Sequence, residues 1–399
     1  MRRRGLLAVL IVLLLGGCSV GPDYQTPTSP MPAAYSEPGA ASRSDDMREW
    51  WHLFQDPELE SLVDRALTGN PDLQSALSRI REARALAVMA GAALLPQIDA
   101  DGSVNHTHIS QNSGLGSLAT LFSGAQNGSG FAFPGGGLTT YSVGFDASWE
   151  IDIFGGVRRS VESAVATADQ AAWTSRDVRI SLVAEVANDY LALRAAQRQV
   201  VTVRRDVARQ QEILALVSAQ RRFGFVTAMT VRDQQGQVSA AEAMLPDLDS
   251  EIALQAHALA LLLGEAPAAL LAELTPVAAL PAAPPLVPLG LPSDLLRRRP
   301  DIRAAERALA ATSARIGVAV ADLYPKFSLT GAFDFIALDP GHLFKWPSRQ
   351  YSAAGAISWP IFEGGQIRAN IQVQQEEDAQ ALLTYRATVL GALKDVENA

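Results

Sequence analysis

Cysteine is almost missing from this 399-residue sequence: Cys18 is the only one. No disulfide can therefore form within one chain. Basic residues are also in deficit, with 33 Lys and Arg against 42 Asp and Glu, a formal charge of −9. A chain this acidic is unsuited to nucleic acid, which selects basic surfaces. After Leu6–Leu15 no apolar run approaches the roughly 18–20 residues of a transmembrane helix. A membrane-spanning part would then have to be a β-barrel, the other structure that satisfies its backbone in lipid. Catalytic patterns are absent too: there is no Ser/His/Asp order, no Walker loop and no metal-ligand cluster. His106-Thr107-His108 would put two imidazoles on one side of a strand, without a nearby carboxylate or cysteine to complete a metal site. Gly135-Gly136-Gly137 lacks the Lys and Ser/Thr of a phosphate loop. The expectation is a protein that is not an enzyme and carries no cofactor.

What is present begins with an address. Arg2, Arg3 and Arg4 form a positive segment, and Leu6–Leu15 is too short to span a bilayer but suits a signal peptide. It ends in Leu15-Gly16-Gly17-Cys18, small residues before a thiol, as lipoprotein processing requires. Residues 1–17 read as the removed signal, and Cys18 as the lipidated, palmitate-bearing first residue of the mature chain. Ser19 in place of aspartate, by resemblance to bacterial lipoproteins, favours sorting to the cell outer membrane, with the chain lipid-anchored and extending into the periplasm.

The remainder is two copies of one unit. Asn70-Pro71-Asp72-Leu73 matches Arg299-Pro300-Asp301-Ile302, Leu95-Pro96 matches Tyr324-Pro325, and Gly102 matches Gly331, all at one offset. At a second offset Tyr141-Ser142 matches Tyr351-Ser352, Trp149 matches Trp359, Gly155 matches Gly365 and Arg158 matches Arg368. The offset changes once, where the first copy has a Gly/Ser/Asn-rich loop from Ser110 to Thr140. The boundaries that follow are 18–265 for the first repeat with its N-terminal segment, 266–292 for a Pro-rich linker, and 293–399 for the second repeat.

Each unit reads as helix, strand, loop, strand, long helix. Tyr141, Val143, Phe145, Ala147, Trp149 and Ile151 share one face of a strand; Asp146, Glu150 and Asp152 fall on the other. Tyr351–Ile361 is its repeat partner, and residues 97–104 and 326–335 alternate likewise. Period two over this length fits a tilted strand crossing lipid with one face wet, and equally a half-buried strand of a soluble sheet. If it is the former, four strands cannot close a barrel and an open edge in lipid is forbidden, so several chains must contribute. The fold class is thus mostly α with a β-barrel contribution. From Val157 to Phe223 there is no proline or glycine, and one helix of that length would extend roughly 100 Å. Gly224 breaks it, and a return helix from about Met229 to Leu263 has Gly236 and Pro246 as weak points.

The chain resembles the outer membrane efflux proteins of the TolC superfamily, and within them the lipoprotein branch that serves RND drug pumps. The resemblance is carried by Cys18 to Tyr24, Trp50-Trp51 with Phe54, Asp56-Pro57 and Leu59, then Leu263-Gly264 and Leu291 to Asp301. Ala314 to Ala319, Tyr324-Pro325 and Trp359 to Phe362 complete it. It implies a homotrimer whose four strands per chain close a 12-stranded barrel, set on a long α-helical periplasmic tunnel. It implies a passive conduit for drugs and other small molecules, with a periplasmic adaptor, an inner-membrane RND pump and outer membrane lipid as partners. Adaptor contact would fall at Phe223, Gly224, Phe225, Val226 and Thr227, which also read as a plain turn with a glycine cap. Asp99, Asp101, Asp146, Glu150, Asp152 and Asp334 outnumber Lys326 on the polar strand faces, so a lumen lined by them would favour cations. Two other functions stay open: the outer membrane duct of a type I protein secretion system, and a non-channel structural periplasmic lipoprotein. Ala399 aligns with Asp189, so the second unit has no counterpart of residues 190–264, and the expectation is a chain truncated at its C-terminus.

Overall fold

A computed structural model describes residues 19–28, 32, 47–108, 137–282 and 292–398. The signal segment with Cys18, most of the loop from Ser110 to Thr140, part of the Pro-rich stretch and Ala399 lie outside the described residues. The chain divides into two compact units. One holds residues 84–167 and 308–382 with the N-terminal stretch up to Thr26; the other holds residues 27–83, 168–307 and 383–399.

The first unit carries one antiparallel sheet of four strands in the order β1-β2-β3-β4: β1 (Gln97–His108), β2 (Gly137–Ile151), β3 (Lys326–Ala337) and β4 (Arg349–Ser358). The register decides which residues share a face. Val143 lies opposite Gly102 and Phe335, Phe145 opposite Ala100 and Phe333, and Phe333 opposite Tyr351. All four apolar rows therefore coincide on one side of the sheet. Among the described residues the strands pack chiefly on one another, and Ile98, Val104, Phe145, Leu329, Tyr351 and Ile357 stay exposed. A soluble sheet would cover such a face; among the described residues this one is left bare, and β1 and β4 are open edges.

Two helices lead into strands and two lead out. α2 (Pro71–Ala92) precedes β1, α3 (Gly156–Arg222) follows β2, α8 (Pro300–Ala321) precedes β3 and α9 (Gln366–Glu397) follows β4. The duplication seen in the sequence is repeated as bonding. Trp149 donates its indole N–H to the Leu94 carbonyl at 3.0 Å, and Trp359 donates to the Leu323 carbonyl at 3.0 Å. Each tryptophan fixes the end of its outgoing strand against the end of the incoming helix.

The second unit contains α1 (Pro57–Gly69), a helical hairpin and the short helices α6 (Leu271–Leu274) and α7 (Pro292–Arg298). α3 is 67 residues long, as its freedom from proline and glycine predicts. It ends in a Schellman turn: the Phe225 N–H donates to the Gln220 carbonyl and the Gly224 N–H to the Arg221 carbonyl, each at 3.0 Å. Gly224 takes φ +79°, which that motif requires. The return is two helices, α4 (Ala228–Glu242) and α5 (Leu245–Leu262). Gly236, a weak point in the sequence, does not interrupt α4; a single glycine costs helix stability without blocking a hydrogen bond. The break falls at Ala243–Met244, ahead of Pro246, whose ring cannot accommodate the carbonyl four residues earlier.

The main core lies here, built from Trp51, Leu59, Leu62, Val63, Val183, Val186, Tyr190, Leu193, Leu259, Leu270 and Leu274. A polar network pins its rim. Asp56 caps α1 by accepting from the Glu58 and Leu59 N–H groups at 2.9 and 3.2 Å. Its other oxygen accepts the Tyr190 hydroxyl at 2.9 Å. Arg194 stands over the Tyr190 ring at 4.9 Å, approaches Glu58 at 3.5 Å, and donates to Gln197 Oε1 and the Pro276 carbonyl. Gln197 in turn donates to the Leu274 carbonyl at 2.7 Å. The start of the Pro-rich stretch is thereby docked on α3 rather than left free.

Two predictions follow from this geometry. Gly224 has open space where a Cβ would stand, so Gly224→Ala exposes the backbone cost alone, about 1–2 kcal/mol. Gly236→Ala also meets open space but reduces the backbone entropy lost on folding, gaining up to about 1 kcal/mol. Thermal unfolding followed by far-UV circular dichroism should show midpoints shifted in opposite directions. The second concerns Tyr190, whose phenol burial pushes up to about 12, Asp56 adding to the rise and Arg194 opposing it. A raised phenol pKa gives stability that is complete below the unfolded value near 10 and lost as pH climbs through about 12. Tyr190→Phe should therefore flatten the alkaline fall in stability across that window, measured against the parent chain.

Candidate pore face and hairpin tip

The polar face of the sheet is built by the same register that unites the apolar one. Asp99 lies directly opposite Asp146, while Asp101 and Asp334 both pair with Gly144, one from each side. Glu150 is opposite Ser328 and Lys326 opposite Ser358 on this face. Five carboxylates from three strands thus share a surface with one ammonium, and Lys326 is already engaged by Asp322 at 3.0 Å. Like charges directly across a strand pair are unfavourable unless water screens them, so this face requires solvent. Ser103 and Ser142 hydrogen-bond across it at 2.8 Å, and polar Gln350 and Ser352 extend it onto β4.

Asp152 does not belong to that set, which corrects the sequence reading. β2 ends at Ile151, and the chain turns into α3. The Asp152 carboxylate accepts from the Val157 and Arg158 N–H groups at 3.1 and 2.9 Å and from Arg158 Nε at 3.2 Å. It neutralises the start of a 67-residue helix, where unpaired N–H groups and the helix dipole favour an anion. Alternation carried one residue too far missed this. His106 and His108 lie on the same side of β1 as expected, and His106 Nδ1 hydrogen-bonds Thr139 Oγ1 at 2.8 Å.

A second site was visible in the sequence only as a string of residues. Val20 donates its N–H to the Phe154 carbonyl, and Arg159, with a side chain only 5% exposed, gathers the N-terminal segment. It donates to the Val20 and Gly21 carbonyls, to Asp23 at 2.6 Å and to Glu162 at 2.8 Å. Gly21, at φ +90°, lies so close to Gly317 that a Cβ would stand 2.4 Å from its Cα. Ser19, the residue after Cys18, packs against Gly155 just beyond β2. The glycines and the Asp23–Arg159 pair explain why Val20-Gly21-Pro22-Asp23-Tyr24 reads as a motif.

The hairpin tip is the third feature. Phe223 and Phe225 are 77% and 80% exposed, and Met229 is exposed beside them. Thr227 caps α4, its hydroxyl oxygen accepting from the Thr230 N–H at 3.3 Å, and Arg221 donates to the Val226 carbonyl. The turn is fixed by backbone bonds, and its phenylalanines are left exposed among the described residues.

Residues 62–265 and 291–399 match the model of the family described as outer membrane efflux protein. Nodulation protein T of Rhizobium leguminosarum bv. trifolii is 33% identical over 97% of this chain and 79% of its own length. The pyoverdine export outer membrane protein OpmQ of Pseudomonas aeruginosa is 33% identical over 100% of this chain and 81% of its own. Among solved structures, the outer-membrane channel OprN superposes with a TM-score of 0.84 at 34% identity, covering 96% of this chain and 82% of that one. CusC superposes with a TM-score of 0.77 at 26% identity over 96% of this chain and 82% of its own. The chain belongs to the outer membrane efflux protein family, whose members are outer membrane channel components of efflux pumps and not enzymes.

Proposed function

We propose that the chain is one protomer of a homotrimeric channel-tunnel, the passive outer membrane conduit of a tripartite RND-type efflux system for drugs and other small molecules. The carrying observation is the common register of the four strands: one face largely apolar and uncovered, the other polar and acidic, with both edges open among the described residues. In lipid such a sheet is complete only when copies close it, and the acidic face then lines water. A lipidated Cys18 fits this arrangement. Ser19 is held beside the end of β2 by the Arg159 cluster, so acyl chains on the preceding residue would enter the membrane near the foot of the strands. The exposed Phe223 and Phe225 offer a periplasmic adaptor two aromatic anchors on a rigid turn, the kind of contact that carries most interface energy. The adaptor would connect the tunnel to the inner-membrane pump.

Two measurements test this reading. Trimers reconstituted in planar bilayers should pass cations over anions, and replacing Asp99, Asp146 and Asp334 together by Asn should bring the reversal potential toward zero. Anion selectivity in the parent channel would contradict the acidic bore. Separately, F223A/F225A should lower cross-linking to the cognate adaptor about tenfold or more while leaving trimer assembly intact. Unchanged cross-linking would remove the tip from the contact.

A further inference from the structure

A cleft of about 290 Å³ opens in the first unit where β2 ends and β3 begins. Ala90 of α2, Ala93 just beyond it, Val157 of α3 and Val318 of α8 give it an apolar lining. Its volume falls just below that of ligand pockets, about 300–1,000 Å³, so it suits an occupant of fragment size. Charge is distributed unevenly within it. Of its three carboxylates, Asp152 is consumed by the α3 N-terminus and Arg158, and Asp322 by Lys326. Glu150 alone makes no ion pair and no side-chain hydrogen bond among the described residues, although Lys326 feels its charge. Phe154 also lines the cleft, stacked on Tyr324 with ring centroids 4.6 Å apart. Aromatic faces of this kind attract ammonium groups.

We propose that this cleft is a subsite for small organic monocations with an apolar body, such as aryl-alkyl ammonium ions, with Glu150 as their charge partner. The assignment rests on reading the acidic face as the wall of the conduit, since only then does a permeating solute reach Glu150. An anion is disfavoured because the ammonium of Lys326 is already neutralised and the remaining charge is negative. A metal ion is disfavoured by chemistry as well: one free carboxylate amid apolar walls supplies too few oxygen ligands.

The test is equilibrium dialysis of benzyltrimethylammonium against the full chain in lipid nanodiscs, with empty nanodiscs as the blank. Saturable binding is expected, and benzylsulfonate, with the same aryl body and opposite charge, should show none. Glu150→Gln should weaken binding about tenfold, the loss of one contact to a charged group. Lys326→Met should strengthen it by releasing Asp322 as a second carboxylate in the cleft, and Asp99→Asn, on the same face but outside the cleft, should leave it unchanged. Absence of saturable binding, equal uptake of benzylsulfonate, or unaltered affinity in Glu150→Gln would overturn the subsite. Single-channel conductance measured on the same preparations keeps the two readings apart. A conducting channel without this binding refutes the subsite alone, whereas a chain that neither assembles nor conducts refutes the conduit.

Discussion

The constraint on which everything else depends is the hydrogen-bonding demand of a β-sheet edge in lipid. Among the described residues β1 and β4 have no partner along their outer sides, and hydrocarbon offers their N–H and C=O groups no water. Each unsatisfied group costs several kcal/mol, so a four-stranded sheet with a lipid-facing apolar side cannot exist alone in a membrane. The arrangement of residues follows from that demand. Apolar side chains must coincide on one face across every strand pair, and the observed register achieves this from β1 to β4 without a break. The acidic residues then coincide on the other face, where the repulsion between Asp99 and Asp146 is tolerable only in water.

The elements around the sheet supply what it cannot. Trp149 and Trp359 secure each outgoing strand to the end of the preceding helix by equivalent bonds, so the two copies of the unit fix their strands in the same way. Asp152 opens α3 by satisfying N–H groups that no earlier turn can reach. Arg159 ties the residues after Cys18 to the same junction, coupling the N-terminal segment to the foot of the strands. In the other unit, Tyr190, Arg194 and Gln197 do comparable work, binding the start of α1 and the segment beyond α6 to a single stretch of α3.

Most of the fold was legible in the sequence because its signals are periodic and long. Alternation located four strands to within a few residues, and the absence of proline and glycine gave α3 within one residue at each end. Repetition did more than either, since weak alternation in β4 gains meaning from its match to β2. What failed was local. Asp152 continues the alternating pattern by type, yet the strand stops one residue earlier, because the carboxylate is worth more at a helix N-terminus than on a wet strand face. Gly236 looks like a breaker by composition but leaves every helical hydrogen bond available, whereas Pro246 does not. The Arg159 cluster joins residues far apart in the chain, and no spacing rule relates Asp23 to Arg159 or Gly21 to Gly317. Such close approaches are settled by packing, which a single sequence does not display.

Closure of the sheet by neighbouring copies is the claim that the rest of the account requires. It can be read from disulfide trapping between β1 and β4 in isolated outer membranes, using cysteine pairs such as S103C with S352C and their registers one step along either strand. Within one chain these strands are separated by two others, about 14 Å across the sheet, too far for a disulfide. A bridge can form only between chains. The account predicts that at least one register yields a covalent trimer that reduction returns to monomers. Monomers throughout the whole set, in membranes where the parent chain is inserted, would contradict it.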